Sequence, residues 1–259
     1  MTQILDRGGR VARRLIDWIR WHGTTRTVLR GPAAGLRIST GNSSANYAEG
    51  TNELPVQHAV EELLRPGDTF FDIGANVGFF SLLAARRVGT HGKVVAFEVV
   101  PEIATTLEAN ARLNEFAHLD VRTLAIGSGA GRATLRLTNH PGGATIADDA
   151  DATEVTTSFE VDVVSIDQLL EKGELPVPDL VKIDVEGHER ECLLGMAGLL
   201  AGRSPALIVE LDAATGEGIA RKRADIEALL LRFGYAIEPM PPSYVGTDWH
   251  VLHLVATKG

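Results

Sequence analysis

Carboxylate side chains recur at the ends of short apolar runs in this sequence. The acids are Asp72, Glu98, Asp184 and Glu210, which close the runs TFFD, VVAFE, LVKID and LIVE. These runs are rich in β-branched or aromatic residues, which favours buried strands. Neighbouring parallel strands present their carboxyl ends at one edge of an open α/β sheet, where such sheets bind ligands. The four acids therefore indicate one negatively lined site.

A glycine-containing turn, Gly74-Ala-Asn-Val-Gly78, follows the first run. A dinucleotide site requires glycine at the first, third and sixth positions, but the third and sixth are Asn76 and Phe79. The sequence contains no Gly-Lys-Ser/Thr, which excludes a P-loop. Asn76 tolerates the positive φ that a tight turn requires.

The run Asp72-x-Gly74-x-Asn76-x-Gly78 resembles the first motif of S-adenosyl-L-methionine (SAM) methyltransferases. The resemblance implies SAM as cofactor and assigns these four residues to its binding. The sulfonium and ammonium groups of SAM suit carboxylates and turn backbone better than a phosphate would. Glu98 follows at the separation where such folds place a ribose-binding acid, so we expect it to accept both ribose hydroxyls.

A third strand is predicted from Leu119 to Ile126. In this architecture its end faces the adenine. We expect the backbone near Ala125 to pair with that ring.

The segment from Leu180 to Glu189 is the second informative stretch. It predicts a buried strand, a turn and then a helix from Glu189 to Leu200, so that Asp184, Glu186 and His188 gather at the strand end. Lys182 lies inside the strand, where an unpaired charge is costly, and we expect it to pair with a carboxylate.

This acidic and histidine group supplies the catalytic candidates. His188 has the unperturbed pKa best suited to a general base, although it falls at a helix start where it could simply cap the helix. Asp184 could instead orient the SAM ammonium or the acceptor, and Glu186 completes the group. Alternatives remain open: Asp184, Glu186 and Glu210 could hold Mg²⁺, although no diagnostic metal spacing is present, or the fold could bind SAM without catalysis.

The order of predicted elements indicates a Rossmann-like α/β fold. It comprises a mostly parallel seven-stranded sheet, helices on both faces and a closing antiparallel hairpin. Predicted helices cover 55–64, 79–88, 101–113, 189–200 and 221–233, and the closing strands cover 235–238 and 251–256. A second hairpin is predicted from 133–137 and 158–164, joined by a long acidic loop that is either a functional lid or simply mobile.

Taken together, the motifs resemble FkbM-type SAM-dependent methyltransferases. DIGANVGFF, AFE-x-x-P, Asp167, KIDVEGHE and the IVE of the fifth strand carry the resemblance, and Tyr47-x-x-Gly50-x-x-Glu53 resembles that family's lead-in. The resemblance implies O-methylation of a sugar, glycolipid, polysaccharide or natural-product hydroxyl. We expect the lead-in to fold over the cofactor turn and include Glu53 among the cofactor-binding residues.

Composition limits the partners and the location. The chain has 259 residues, 44% of them hydrophobic, and a net charge of −9, although residues 1–40 carry +6. The acidic body argues against nucleic acid as a partner. The single cysteine, Cys192, excludes an intrachain disulfide, and no bilayer-spanning run or signal peptide is evident. We therefore expect a cytoplasmic location.

The N-terminal segment lies outside the resemblance. Ile4 to Trp21 has apolar residues with arginines interleaved, which favours an amphipathic helix. Such a helix could pack on the domain, pack on a second subunit in a homodimer, or contact a membrane surface, in which case the protein would be membrane-associated. We divide the chain into an N-terminal region, residues 1–45, which holds this helix and an extended segment, and a methyltransferase domain, residues 46–259.

Overall fold

The computed structural model describes residues 25–40, 46–138, 144–145, 155–244 and 250–258. Strands and helices alternate through most of this length. The strands are β1 Thr25–Thr27, β2 Arg37–Ser39, β3 Thr69–Ile73, β4 Lys93–Phe97, β5 Leu119–Arg122, β6 Ala125–Ile126, β7 Gly131–Thr138, β8 Ala144–Thr145, β9 Val155–Val164, β10 Leu180–Ile183, β11 Ala206–Ala213, β12 Ala236–Pro239 and β13 His250–Thr257. The helices are α1 Asn46–Glu49, α2 Leu54–Leu63, α3 Phe79–Val88, α4 Pro101–Leu113, α5 Ile166–Glu171, α6 Glu189–Leu194, α7 Ala197–Gly202 and α8 Gly216–Arg232.

The central sheet has seven strands in the order β12-β13-β11-β10-β3-β4-β5. All neighbouring pairs are parallel except those made by β13, which is antiparallel to both β11 and β12. The predicted fold class, including the closing hairpin, is therefore confirmed. Because β3 and β10 are adjacent and parallel, Asp72 lies beside Lys182, and Asp184 follows two residues later at the same sheet edge.

Alternation along the strands explains the helices on both faces. Successive side chains of a strand point to opposite faces, so Phe70 joins the apolar cluster on one face and Phe71 joins the cluster on the other. Both side chains are fully buried. The strand therefore reads as continuously apolar, as parallel strands covered on both faces do.

The predicted strand 119–126 was wrong in extent. The main sheet keeps only β5, and the chain then leaves the sheet edge so that Ala125 and Ile126 pair in parallel with Val163 and Val164 of β9. This pairing belongs to a second, four-stranded sheet with the order β6-β9-β7-β8. The predicted antiparallel hairpin is present as β7 and β9. Its acidic loop residues, Asp148, Asp149, Asp151 and Glu154, lie outside the described residues.

Two helix predictions were also wrong at their bounds. The predicted helix 189–200 is interrupted between α6 and α7 at Gly195 and Met196. Gly195 packs so closely on Gly127 that a Cβ would lie 1.9 Å from its carbonyl oxygen, and the Gly195 carbonyl accepts a bond from the Asp167 N–H. Helix α8 begins five residues before the predicted Arg221, because the Thr215 side chain caps it by accepting from the Gly218 N–H.

The residues of the N-terminal region that the structure describes pack on the main body. Asn110 and Asn114 of α4 bond to the backbone of Ser39 and Arg37 on β2. The predicted helix 4–21 lies outside the described residues, and the division at residue 45 stays a prediction. Among the described helices, none is both long and apolar enough to cross a bilayer.

Candidate active site

A cavity of about 270 Å³ opens at the carboxyl ends of β3, β4, β10 and β11. Its walls include every residue that the sequence assigned to a site except Gly78. They also include aromatic and apolar side chains from the lead-in, β6 and β7, and residues from the segment after β12. A second cavity, about 630 Å³, lies between α2 and the edge strand β12. It has no glycine turn and none of the strand-end acids, so chemistry rather than size identifies the first cavity.

The glycine turn is shaped by contacts within the protein. Gly74, Asn76 and Gly78 all have positive φ, at 84°, 51° and 90°. A Cβ at Gly74 would lie 1.7 Å from the carbonyl oxygen of Asp184, and one at Gly78 would lie 2.7 Å from Leu107 Cγ. Glycine is therefore required at both positions by neighbouring strand and helix atoms.

Glu98 connects the glycine turn to the end of β4 through two hydrogen bonds. Its Oε2 accepts the Asn76 N–H and its Oε1 accepts the Val100 N–H, both at 2.8 Å. Burial raises the pKa of Glu98 to about 7 despite these two bonds. Each carboxylate oxygen has two lone pairs, so both retain capacity to accept a bond from a ligand hydroxyl.

A compact network of charged side chains, on and next to β3 and β10, lies beside the glycine turn. Lys182 Nζ lies 2.7 Å from Asp184 Oδ2 and 4.8 Å above the Phe80 ring, so the predicted lysine–carboxylate pair is present. Burial alone would lower the pKa of Lys182, but Asp184, Glu53 and Asp72 outweigh it and raise that pKa. Asp72 Oδ2 accepts from Ser81 Oγ at 2.5 Å, whereas its buried Oδ1 has no hydrogen-bond partner.

Asp184, Glu186 and His188 all line the cavity, as their spacing predicted. Desolvation, followed by repulsion from Asp184, raises the pKa of Glu186 to about 9, although part of this side chain is exposed to solvent. Burial lowers the pKa of His188. The His188 ring makes no helix-capping bond, and its buried Nδ1 has no hydrogen-bond partner.

A second charged group closes the far end of the cavity. Sequence reasoning included its acids, Glu53 and Glu210, but missed His253 and Tyr244. His253 Nε2 of β13 lies 2.7 Å from Glu210 Oε2 and 3.3 Å from Glu53 Oε2. Tyr244 Oη donates to Glu53 Oε1 at 2.7 Å. We call Glu53, Glu210 and His253 the carboxylate–histidine cluster. A buried histidine among apolar residues of the last strand was the sequence signal that could have found it.

The lead-in delivers Glu53 to this cluster through a strained turn. Glu53 has φ 44° and directly precedes α2. Buried Gln57 holds the turn by donating to the carbonyls of Gly50 and Asn52. Glu53 is 6% exposed and faces His253, which places it at the opposite end of the cavity from Glu98. Its assignment to cofactor binding stays a prediction.

The three members of the carboxylate–histidine cluster change one another's pKa values. Burial raises the pKa of Glu210 to about 7, with Asp184 adding to the effect. Burial would lower the pKa of His253, but its hydrogen bond to Glu210 and the nearby charge of Glu53 raise that pKa to about 9. Burial would likewise raise the pKa of Glu53, but His253 and Lys182 lower it to about 2.

The structure also corrects the metal alternative. Among the residues that it describes, the acids and histidine close enough to share one ion are Glu53, Glu210 and His253. The predicted set of Asp184, Glu186 and Glu210 does not form such a group.

Comparison with known proteins identifies the family. The model of the methyltransferase FkbM domain matches residues 72–237, which contain the glycine turn and all four strand-end acids. The chain belongs to the FkbM methyltransferase family. The 31-O-demethyl-FK506 methyltransferase FkbM of Streptomyces tacrolimicus is 29% identical across 88% of this chain and 95% of its own length. The hexuronic acid methyltransferase AglP of Haloferax volcanii is 28% identical across 77% and 81%.

Solved structures agree on the fold of this FkbM-family chain. A methyltransferase FkbM from Methylobacillus flagellatus superposes with a TM-score of 0.51 at 18% identity, covering 77% of this chain and 50% of its own. Trm5b from Pyrococcus abyssi gives 0.52 at 15% identity, covering 91% and 56%. The chain thus spans about half the length of these two solved proteins, and at these identities the likeness concerns the fold alone.

Proposed function

We propose that this protein transfers the methyl group of SAM to a hydroxyl oxygen of a sugar, glycolipid, polysaccharide or natural-product acceptor. Family membership supports SAM-dependent methyl transfer. The names of two relatives, one acting on an FK506 precursor and one on a hexuronic acid, support an oxygen acceptor of this kind.

The cavity residues fit SAM, and the observation that carries the proposal is the set of carboxylate acceptors at the glycine turn. Asp72 lines the cavity and has a buried oxygen without a hydrogen-bond partner. Glu98 retains lone pairs for ribose hydroxyls, and the cavity's lysine is already paired with Asp184. Such a lining suits hydroxyls and cationic groups and does not suit a phosphate.

Within this proposal the residues have distinct tasks. Glu98 would hold the ribose, the turn from Gly74 to Gly78 would support the nucleoside, and Ala125 with its neighbours would border the base. Asp72 and Asp184 would face the ammonium group. When bound, SAM supplies an electrophilic methyl group on a positively charged sulfur. Tyr47, stacked on Phe79 at 5.1 Å between ring centroids, would help to exclude water from the reacting atoms.

Methyl transfer can be tested with SAM that carries a labelled methyl group. The protein would be incubated with glycolipid, polysaccharide and small-glycoside fractions, and the products analysed for a labelled O-methyl ether. We expect acceptor-dependent label in at least one fraction. A protein that binds SAM but never turns it over with any fraction would favour the non-catalytic binding module.

A further inference from the structure

Methyl transfer to a hydroxyl requires a base, and the three residues first considered are poorly arranged for it. Asp184 is held by Lys182 at 2.7 Å, the pKa of Glu186 is raised to about 9, and no side chain orients the His188 ring through its buried Nδ1. The carboxylate–histidine cluster offers a different arrangement. Glu53 and Glu210 both line the cavity, whereas His253 is 2% exposed and contacts them from behind.

The sheet order places this cluster at the acceptor side. Four adjacent strands, β4, β3, β10 and β11, carry or directly precede Glu98, Asp72, Asp184 and Glu210, in that order. Strands lie about 4.8 Å apart, so Glu98 and Glu210 are separated by roughly 14 Å across the edge. A nucleoside held at Glu98 leaves the Glu210 end of the same cavity for the acceptor.

We propose that Glu210 is the general base that takes the proton from the acceptor hydroxyl, and that His253 and Glu53 are positioning residues that hold its carboxylate. This inference rests on the proposed function. The hydroxyl oxygen forms the new O–C bond with one of its lone pairs, and its proton moves to a Glu210 oxygen. The electrons of the broken S–C bond stay on sulfur, which leaves neutral S-adenosylhomocysteine and a protonated Glu210.

The charges around Glu210 support this role. The groups that face it from the packed elements are Tyr47, Glu53, Lys182, Asp184, Glu186, Tyr244 and His253. Burial and Asp184 bring the pKa of Glu210 to about 7, the range in which a carboxylate is an effective base at neutral pH. His253, on the opposite side, stabilises the charged form through a 2.7 Å bond.

The same three side chains could in principle bind a divalent cation, but their contacts favour a proton. The 2.7 Å approach of His253 Nε2 to Glu210 is a hydrogen-bond distance, and Tyr244 and Asn52 already donate to Glu53 Oε1. The ammonium of Lys182 also lies close enough to lower the pKa of Glu53. The positive charges of His253 and Lys182 therefore already compensate the carboxylates of Glu53 and Glu210.

Turnover and its pH profile test the base directly, with the acceptor found by the labelled-methyl assay. Glu210→Gln should lower turnover about 10²–10⁴-fold while S-adenosylhomocysteine affinity stays within about threefold, because the cofactor lies at the other end. Glu210→Asp should recover part of the rate. His253→Gln keeps an N–H but removes the positive charge, so the acidic limb of the profile should move to higher pH. Glu174→Gln and His91→Gln, both exposed, are the controls.

Retention of wild-type turnover by Glu210→Gln, or an unmoved limb in His253→Gln, would overturn the proposal. A second measurement needs neither SAM nor acceptor. An NMR titration of the ring nitrogens should show His253 protonated well above pH 7, with its pKa falling in Glu210→Gln. A His253 pKa near 6.5 that is unchanged in Glu210→Gln would contradict the interaction between His253 and Glu210. Stoichiometric Mn²⁺ binding that Glu210→Gln abolishes would also overturn the proposal, because the cluster would then be a metal site. Failure to bind S-adenosylhomocysteine would count against the proposed function. The NMR titration would still test whether His253 and Glu210 interact, because it requires no cofactor.

Discussion

Glu98 illustrates how one side chain can serve both fold and ligand. From the sequence we expected it to accept the two ribose hydroxyls. In the structure its two oxygens also hold the N–H groups of Asn76 and Val100. A buried N–H that loses its acceptor costs about 1–3 kcal/mol. The two tasks can therefore be separated by measuring stability and affinity on the same variant.

Glu98→Ala should weaken SAM binding by about 1.5–3 kcal/mol, the usual loss for charge-assisted hydrogen bonds. It should also lower the melting temperature of the ligand-free protein by several degrees, at about 2–4 °C per kcal/mol for a chain of this size. Calorimetric titration and thermal unfolding measure the two effects, with exposed Glu102→Ala as the control. Unchanged affinity would remove Glu98 from the ribose site, and an unchanged melting temperature would remove its role in the turn.

At the scale of elements, prediction succeeded where local pattern and tertiary environment agree. The bounds of β3, α3 and α4 matched the sequence expectation. The predicted bounds were wrong at 119–126, where Ala125 and Ile126 pair with the distant strand β9. They were also wrong at 189–200, where Gly195 contacts Gly127, which is distant in the sequence. The site divides in the same way. The strand-end acids were predictable. Tyr244, which lines the cavity, and His253, which contacts Glu210 and Glu53, come from the last part of the chain, and no local motif links that part to Glu53.

The close approach of β3 to β10 gives a prediction at this scale. Gly74→Ala places a Cβ against the Asp184 carbonyl, which belongs to fixed backbone and cannot rotate away. We expect a loss of more than about 3 kcal/mol of unfolding free energy, beyond the roughly 1–2 kcal/mol that a positive φ alone costs a non-glycine residue. Gly173→Ala is the matched control, since Gly173 has φ 69° and open space around it. Urea unfolding that gives equal losses for both variants would show that the contact is relieved by movement.

The molecule as a whole is acidic, and several of its acidic side chains line the cavity. The peripheral membrane contact, the homodimer and the absence of a nucleic-acid partner stay predictions, because the basic segment 4–21 on which the first two depend lies outside the described residues. The buried acids nevertheless have a consequence for the entire fold. A carboxyl group whose pKa is raised on folding binds its proton more tightly in the native state than in the unfolded state.

Stability of the ligand-free protein should therefore fall as the pH rises from about 5 to 9. Glu98 and Glu210 have pKa values raised to about 7 and Glu186 to about 9, so each favours folding when protonated. His253, raised to about 9, stabilises the fold below its unfolded pKa and loses that contribution as the pH passes 9. Thermal unfolding across this range measures the trend, and Glu186→Gln should reduce its slope. A melting temperature that rises toward pH 9 would contradict these directions.

The central claim is that the cavity is built for SAM and not for a dinucleotide, and calorimetric titration of the purified protein tests it most directly. The failed glycine spacing, the Asp72 oxygen without a partner and the Glu98 carboxylate all favour SAM. We expect S-adenosylhomocysteine and SAM to bind with dissociation constants on the order of micromolar, as is usual for enzyme ligands, and NAD to give no heat of binding. Tight NAD binding without any response to SAM or S-adenosylhomocysteine would contradict the account.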